Sequence, residues 1–332
     1  MSEKVNYYYE IMEALNIKQM VLQGPPGTSK TYTAKEIVKE IVKNEIVKNV
    51  INEKEINNSG RCRIVQFHPS YCYEDFVRGI TVSTRRNNVV YKTVNKVFGE
   101  MCELAAKDLG NSYFLIIDEI NRADLAAVFG ELIYALEYRG ESVSLPYEIY
   151  GNSTLTVPNN LYIIGTMNTA DRSVGTLDYA IRRRFLFFDL MPDENILASY
   201  CEKAKEWFAA INGHKMPADQ KNDKKMGDEE KKEYEKKEKG FIGLTINTDY
   251  RSEDFKIGHT YFMVNDNGDL ANRLRYQVLP ILREYAIDGI LQQKEEADGF
   301  FNGVIRQYIF NGKPLTLTDN ELIDAIKRKN QS

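Results

Sequence analysis

Residues 21 to 31 read Val-Leu-Gln-Gly-Pro-Pro-Gly-Thr-Ser-Lys-Thr, a short apolar run that breaks into a glycine-rich turn and ends in Lys30 and Thr31. No other stretch restricts the fold as strongly. Binding a polyphosphate needs backbone N–H groups wrapped around it, a lysine that reaches its outer oxygens and a hydroxyl that ligates the accompanying magnesium ion. This spacing supplies all three. Gly24, Lys30 and Thr31 fit the template G-x-x-x-x-G-K-[ST]. Ser29 departs from it, standing where the template has a second glycine, at a position that favours positive φ or close approach to phosphate. Gly24, Pro25, Gly27, Thr28, Ser29, Lys30, Thr31 and Tyr32 are therefore the candidate nucleotide contacts. A strand must enter this turn and a helix must leave it.

The flanking pattern meets that demand. Residues 5 to 16 predict a short helix, Met20 to Gln23 a strand, and Thr33 to Val50 an amphipathic helix with Ile37, Val38, Ile41 and Val42 on one face. Arg61 to Phe67 predicts a second strand. A helix is expected over residues 68 to 80 with Ser70 as its cap. It is interrupted by β-rich segments at Ile80 to Ser83 and Val89 to Thr93, with Thr84 to Asn88 as a hairpin tip. Helix resumes from Val94 to Leu109.

Tyr113 to Asp118 is a nearly continuous apolar run closed by Asp118 and Glu119, the pattern of a central parallel strand buried on both faces. Acids at the carboxyl end of such a strand lie where open α/β sheets bind ligands. Leu125 to Tyr138 predicts a helix, Val143 to Val157 a second hairpin turning near Tyr150 to Ser153, and Leu161 to Gly165 a fourth core strand. A short helix, Leu177 to Arg182, leads through Arg182-Arg183-Arg184 to a last strand, Phe185 to Leu190.

Composition shifts after Pro192. Residues 194 to 211 predict a helix bearing the only tryptophan, Trp207. Residues 215 to 240 hold nine lysines and eight acids, too polar to bury a core, and are expected to form a flexible insertion or a solvated helix. Leu270 to Leu291 predicts helix around Pro280, and Thr318 with Glu321 has capping-box spacing before a last helix. The boundaries that follow are an α/β domain at 1–190, with hairpin insertions near 80–93 and 143–157, and a helical domain at 191–332.

The chain's 43% hydrophobic and 28% charged residues are near the averages for a soluble globular protein. Its net charge of −4 announces no strongly basic surface for nucleic acid. Cys62, Cys72, Cys102 and Cys201 form no C-x-x-C pair, and Cys62, His68 and Cys72 match no zinc spacing, which suits a reducing compartment. With no membrane-length apolar run and no signal-peptide pattern, a cytoplasmic location is expected.

In this order the segments resemble the McrB family of AAA+ motor domains, the GTPase subunits of modification-dependent restriction systems. The matching residues are Gly24 to Thr31; Val65 to His68 with Tyr73 to Phe76; Leu115 to Arg122 (Leu-Ile-Ile-Asp-Glu-Ile-Asn-Arg); Met167 to Ser173 (Met-Asn-Thr-Ala-Asp-Arg-Ser); Ala180 to Phe185; and Ile257 to Phe262. The resemblance implies an AAA+ P-loop α/β domain with a five-stranded parallel core sheet, followed by a small helical lid. It assigns Lys30 to the β- and γ-phosphates, Thr31 and Asp118 to magnesium, Glu119 to the attacking water and Asn168 to sensing the γ-phosphate. Asp171 joins them as a candidate catalytic residue, and Arg183 is expected to act in a neighbouring subunit's site.

The same resemblance implies GTP, or ATP, as substrate, a homo-oligomeric ring of hexamer type, a separate McrC-like nuclease subunit and DNA engaged through the assembled complex, with no membrane. Arg85 and Arg86, at the tip of the first hairpin, would then face the ring's channel. The family carries a DNA-recognition domain ahead of the motor, whereas the phosphate loop here begins by residue 24, so an excised motor or recognition elsewhere is expected. No Asn-Lys-x-Asp guanine signature and no PD-(D/E)xK nuclease cluster occurs in the chain. The alternatives within reach of this sequence are a MoxR-like ATPase that remodels protein partners and a nucleotide-gated scaffold with little turnover.

Overall fold

The computed structural model describes residues 2–46, 60–85, 88–171, 177–213, 246–292 and 303–326. It divides into two compact units, one of residues 1–24 and 29–190, the other of residues 25–28 and 191–332. The expected insertion at 215–240 lies outside the described residues, as do Arg86, Arg172 and Ser173.

In the first unit the strands are β1 (Gln19–Gly24), β2 (Cys62–Gln66), β3 (Arg78–Arg85), β4 (Asn88–Asn95), β5 (Tyr113–Asp118), β6 (Ser142–Ile149), β7 (Asn152–Thr156), β8 (Leu161–Asn168) and β9 (Leu186–Asp189). The helices are α1 (Ser2–Ala14), α2 (Lys30–Ile46), α3 (Tyr73–Phe76), α4 (Val97–Lys107), α5 (Leu125–Phe129), α6 (Leu132–Glu137) and α7 (Tyr179–Arg182). Five strands form one parallel sheet in the order β2-β5-β8-β1-β9.

Side chains alternate across this sheet as the two-residue period requires. Val21, Leu115, Ile117, Leu161 and Ile163 enter one core with Phe98, Met101, Val128, Phe129 and Leu132. Met20, Leu22, Phe114, Ile116, Tyr162 and Ile164 enter the other, against Met12, Ile37, Val38 and Ile41. Both faces are covered, so the apolar reading of β5 holds: Tyr113 to Ile117 are all buried, and only Asp118 at its end is less so.

Several boundaries differ from expectation. Helix α2 starts at Lys30, three residues before the predicted Thr33, because the phosphate loop passes directly into its first turn. The helix expected over 68–80 is the single turn α3, and Ser70 does not cap it; Cys72 stands at the N-cap without a side-chain capping bond. The ribbon β3-β4 claims the rest, pairing without a break from Arg78↔Asn95 to Arg85↔Asn88. Gly130, at a positive φ of 49° and ψ of −129°, divides the expected helix 125–138 into α5 and α6. Strand β8 continues three residues beyond the predicted Gly165, to Asn168.

Arg78 ties the two hairpins together. Its guanidinium is buried and donates to Asn95 Oδ1 (2.8 Å), to the carbonyls of Tyr147 (2.9 Å) and Asn152 (3.0 Å), and to that of Thr154 (3.4 Å). One planar donor fork thus serves both ribbons, which a lysine could not reproduce.

The second unit contains α8 (Glu202–Asn212), α9 (Asn267–Arg273), α10 (Leu279–Ile287), α11 (Gly303–Asn311) and α12 (Asp319–Ile323). The helix expected at 194–211 is split into a 3-10 turn, Glu194–Ser199, and α8. Trp207 is fully buried and donates its indole N–H to the Ile323 carbonyl at 3.1 Å. Leu274–Val278 forms a π-helical turn between α9 and α10. The capping box of Thr318 and Glu321 is present at α12. Among the described residues no helix is long and apolar enough to cross a membrane.

Replacing Arg78 by Met keeps the apolar stem but leaves the hairpin carbonyls without their charged donor. We expect a loss of about 2–4 kcal/mol, read as a lower urea midpoint, together with faster proteolysis within 142–156.

Candidate nucleotide-binding site

The site residues of the first unit lie at the carboxyl edge of the parallel sheet, where β1, β5 and β8 end side by side. Gly24 is in register with Asn168, and Ile117 with Gly165. Because the strands are buried on both faces, their ends are where the chain first meets space for polar groups.

The backbone at Ser29 is left-handed, with φ 63°. The serine therefore takes up the conformation for which the template reserves a glycine, and the loop keeps its course at a steric cost of about 1–2 kcal/mol. Helix α2 begins at the next residue and carries no acidic side chain in its first turn that would compete with an anion. Lys30 is 8% exposed and donates to the Gly24 carbonyl at 3.0 Å. Its burial lowers the ammonium's pKa to about 8, opposed by the nearby carboxylates of Glu119 and Asp118. Tyr32, half exposed, sits on the same first turn.

Thr31 Oγ1 donates to Asp118 Oδ1 at 2.7 Å. Thr166 Oγ1 donates to that same oxygen at 2.6 Å and accepts from the Glu119 amide at 3.3 Å. The backbone of Glu119 is also left-handed, φ 53°, and so leaves the line of β5 immediately after Asp118. Its Oε1 accepts a hydrogen bond from Asn168 Nδ2. Its Oε2 is buried without a hydrogen bond, 3.6 Å from Arg122 Nε. Burial raises the Glu119 pKa, which Arg122 opposes and Asp118 reinforces. Arg122 in turn donates to Asp171 Oδ2 at 2.8 Å.

Lys30, Thr31, Asp118, Glu119, Asn168 and Asp171 are thus brought into one linked cluster. Two residues that join them carried no role in the sequence reading: Thr166, which follows the predicted end of the strand at Gly165, and Arg122, quoted only as part of a motif. Arg122 stands three residues after Glu119, in a 3-10 turn, and that spacing was the available signal.

The arginine run separates into different environments. Arg184 is buried, pairs with Glu137 Oε2 at 2.7 Å and donates to the Ala180 carbonyl at 2.8 Å. Arg182 stacks over the Phe187 ring at 5.3 Å. Arg183 is 64% exposed at its side chain and lies 3.5 Å from the same Glu137 oxygen. Among the described residues no three His, Cys, Asp or Glu side chains gather as a metal cluster. The oxygens that converge are a hydroxyl and a single carboxylate, Thr31 Oγ1 and Asp118 Oδ1, a hard donor set that suits magnesium held jointly with phosphate.

A phosphate loop opening a helix, with an acid pair and an asparagine at the neighbouring strand ends of a five-stranded parallel sheet, defines a P-loop nucleotide-binding domain. Residues 19–185 match the model of the AAA domain, dynein-related subfamily, and residues 244–294 match the McrB alpha-helical lid domain. The chain belongs to the AAA family, as a McrB-like AAA domain with a McrB lid.

It is 34% identical over 303 residues to the EcoKMcrB subunit of the type IV methyl-directed restriction enzyme of Escherichia coli strain K12, an alignment that covers 86% of this chain and 58% of that one. It is also 34% identical over 110 residues to component YdiS of the type II restriction enzyme BsuMI of Bacillus subtilis strain 168, covering 29% and 32% of the two chains. The chain thus spans little more than half the length of the first relative and about a third of the second.

A pH dependence follows from Lys30. Its depressed pKa means that the unliganded protein loses this positive charge as pH rises through about 8. Affinity for a nonhydrolysable nucleoside triphosphate should therefore be constant below that pH and fall above it, by at most about tenfold per pH unit. Calorimetric titrations from about pH 7 to about pH 9.5 measure this, and Lys30→Arg, which keeps its proton throughout, should flatten the profile.

Proposed function

We propose that this chain is the nucleoside-triphosphate-hydrolysing motor subunit of a McrBC-like, modification-dependent DNA restriction complex, with GTP as the preferred substrate. The observation that carries the reading is the joint at Asp118. One carboxylate oxygen receives the Thr31 hydroxyl, which follows the phosphate-loop lysine, while the adjacent Glu119 is held by Asn168 from the neighbouring strand. The similarity to a methyl-directed restriction subunit supports the cellular role.

In this reading the α2 amides and Lys30 hold the β- and γ-phosphates. Thr31 and Asp118 hold magnesium, which when bound neutralises phosphate charge and fixes the geometry of the phosphate oxygens. Glu119 orients the attacking water and draws its proton. Asn168 sets the direction of that carboxylate and contacts the γ-phosphate. Arg122 and Asp171 bracket the other side of Glu119, which limits its rotation. Catalysis is then mainly positioning and charge stabilisation.

The active assembly is a homo-oligomeric ring, of hexamer type, in which Arg183, exposed as Arg182 is, reaches the next subunit's nucleotide. A McrC-like subunit supplies the nuclease, and turnover drives DNA translocation for it. The motor comprises an α/β domain to residue 190 and a lid from residue 191.

The roles of Lys30 and Glu119 are separable by mutation. Lys30→Ala is expected to lose nucleotide binding. Glu119→Gln is expected to bind normally and turn over slower by ~10²-fold or more. Equilibrium binding and steady-state hydrolysis of GTP and ATP, with and without a McrC-like partner, decide the matter. Equal binding loss in both variants contradicts the roles, and ATP preference with no response to the partner contradicts the restriction reading.

Arg183 acting in trans makes a further prediction. Arg183→Ala and Glu119→Gln proteins, each inactive alone, should recover hydrolysis when mixed, because some interfaces then pair an intact Glu119 with an intact Arg183. If no mixing ratio restores activity while rings still assemble, Arg183 does not work across the interface.

A further inference from the structure

The segment Ile257 to Phe262 stood out in the sequence, yet none of the roles above uses it. It belongs to the second unit, and so do residues 25–28, the tip of the phosphate loop. Within that unit the two are joined by backbone hydrogen bonds. The Gly258 amide donates to the Pro26 carbonyl at 2.9 Å, and the Thr260 amide to the Gly27 carbonyl at 3.1 Å. The Thr260 hydroxyl donates to that same Gly27 oxygen at 3.0 Å.

The approach is close enough to exclude side chains. A Cβ on Gly258 would lie 1.9 Å from both the carbonyl carbon and the oxygen of Gly27 and 2.5 Å from the Pro26 oxygen. From the loop's side, Gly27 has φ 76°, and a Cβ there would meet the Tyr261 ring at 2.4 Å. The clamp is itself anchored. Asn212, the last residue of α8, accepts from the Ile257 amide and donates to the Ile257 carbonyl, both at 2.8 Å. The Asp193 amide donates to Nδ1 of the buried His259 at 3.3 Å.

A trans peptide is planar, with its C=O and N–H pointing in opposite directions. Fixing the Pro26 carbonyl therefore fixes the Gly27 N–H, and fixing the Gly27 carbonyl fixes the Thr28 N–H, each aimed away from the 257–260 segment. Donors on a carbonyl also polarise its peptide and strengthen the opposite N–H as a donor. A loop that binds anions through its amides needs both effects, since a flipped peptide would turn a carbonyl oxygen toward phosphate.

We infer that residues 257–260 are a positioning element for the phosphate loop: Gly258 and Thr260 hold the Pro26-Gly27 and Gly27-Thr28 peptides in their anion-binding orientation, and Asn212 holds that element in place. This rests on the reading of the loop as a nucleoside-triphosphate site.

The test compares Thr260→Val, which removes the hydroxyl at nearly constant shape, with Thr260→Ser, which retains it, alongside Gly258→Ala and the control Lys30→Ala. The probes are the β,γ-imido analogues of GTP and ATP with magnesium for binding, and GTP and ATP for kinetics. Thr260→Val should weaken binding by about 3- to 10-fold, the scale of one hydrogen bond, and Thr260→Ser should restore it. KM should rise in Thr260→Val with kcat changed by less than about twofold, the pattern of a contact made alike in ground and transition states. Gly258→Ala should weaken binding further, and if it does not fold the threonine pair still decides.

Unchanged affinity in Thr260→Val, in a protein whose wild-type form binds and whose Lys30→Ala form does not, overturns the inference and leaves the nucleotide site standing. A loss in Thr260→Val that Ser fails to restore also overturns it, since the hydroxyl is then not the cause. Failure of the wild-type protein to bind either analogue removes the nucleotide reading itself and the inference with it.

Discussion

A single oxygen, Oδ1 of Asp118, receives hydroxyls from Thr31 on the first turn of α2 and from Thr166 near the end of β8. Three separate elements are thereby pinned at one point, the end of β5, the end of β8 and the start of the helix that follows the phosphate loop. A carboxylate satisfied by two hydroxyls is a strong junction, because charge-assisted hydrogen bonds exceed neutral ones. The rest of the site is referenced to it: Lys30 precedes Thr31, Glu119 follows Asp118, and Asn168 lies two residues beyond Thr166.

Two residues of this region adopt the left-handed conformation without being glycine, Ser29 and Glu119. Each position costs about 1–2 kcal/mol relative to ordinary backbone. Both turns do geometric work that an unstrained chain would not. At Ser29 the loop is turned into the helix so that Lys30 becomes its first residue. At Glu119 the strand is broken so that the carboxylate reaches Asn168 instead of continuing along β5. Backbone strain tends to persist where the surroundings over-determine it, and the buried sheet beneath supplies that rigidity.

The arginine run shows how burial sorts like residues. Glu137 pairs with both Arg183 and Arg184, but only Arg184 is enclosed, its backbone carbonyl also accepting from Gln19 at 2.7 Å. Gln19 is itself held by the half-buried Arg139, whose pKa desolvation lowers to about 10, through a bond of 2.8 Å. This network fixes the backbone at residue 184 and leaves the Arg183 side chain exposed one position earlier. The sequence offered three equivalent guanidinium groups.

Much of the architecture was legible in the chain. The apolar run Tyr113 to Ile117 suited a strand buried on both faces, and its closing acids fell at the sheet edge as that reading required. The Gly24 to Thr31 loop required a strand before it and a helix after it. Such features are local, set by periodicity and by residue types with one physical use. Other features needed partners distant in sequence. The helix expected at 68–80 yields to a ribbon because residues 88–95 pair with 78–85, and because the Arg78 guanidinium finds carbonyls some 70 residues away. No pattern around Thr166 or Arg122 announces Asp118, Glu119 or Asp171 as their partners. Nor does anything near Gly258 announce the Pro26 carbonyl. What the sequence determined by itself was the order of strand, loop and helix and the chemistry they carry. Only the tertiary structure decided which oxygen each hydroxyl meets, which arginine is buried and which glycine lies against the phosphate loop, because those depend on close packing between segments from 48 to 233 residues apart.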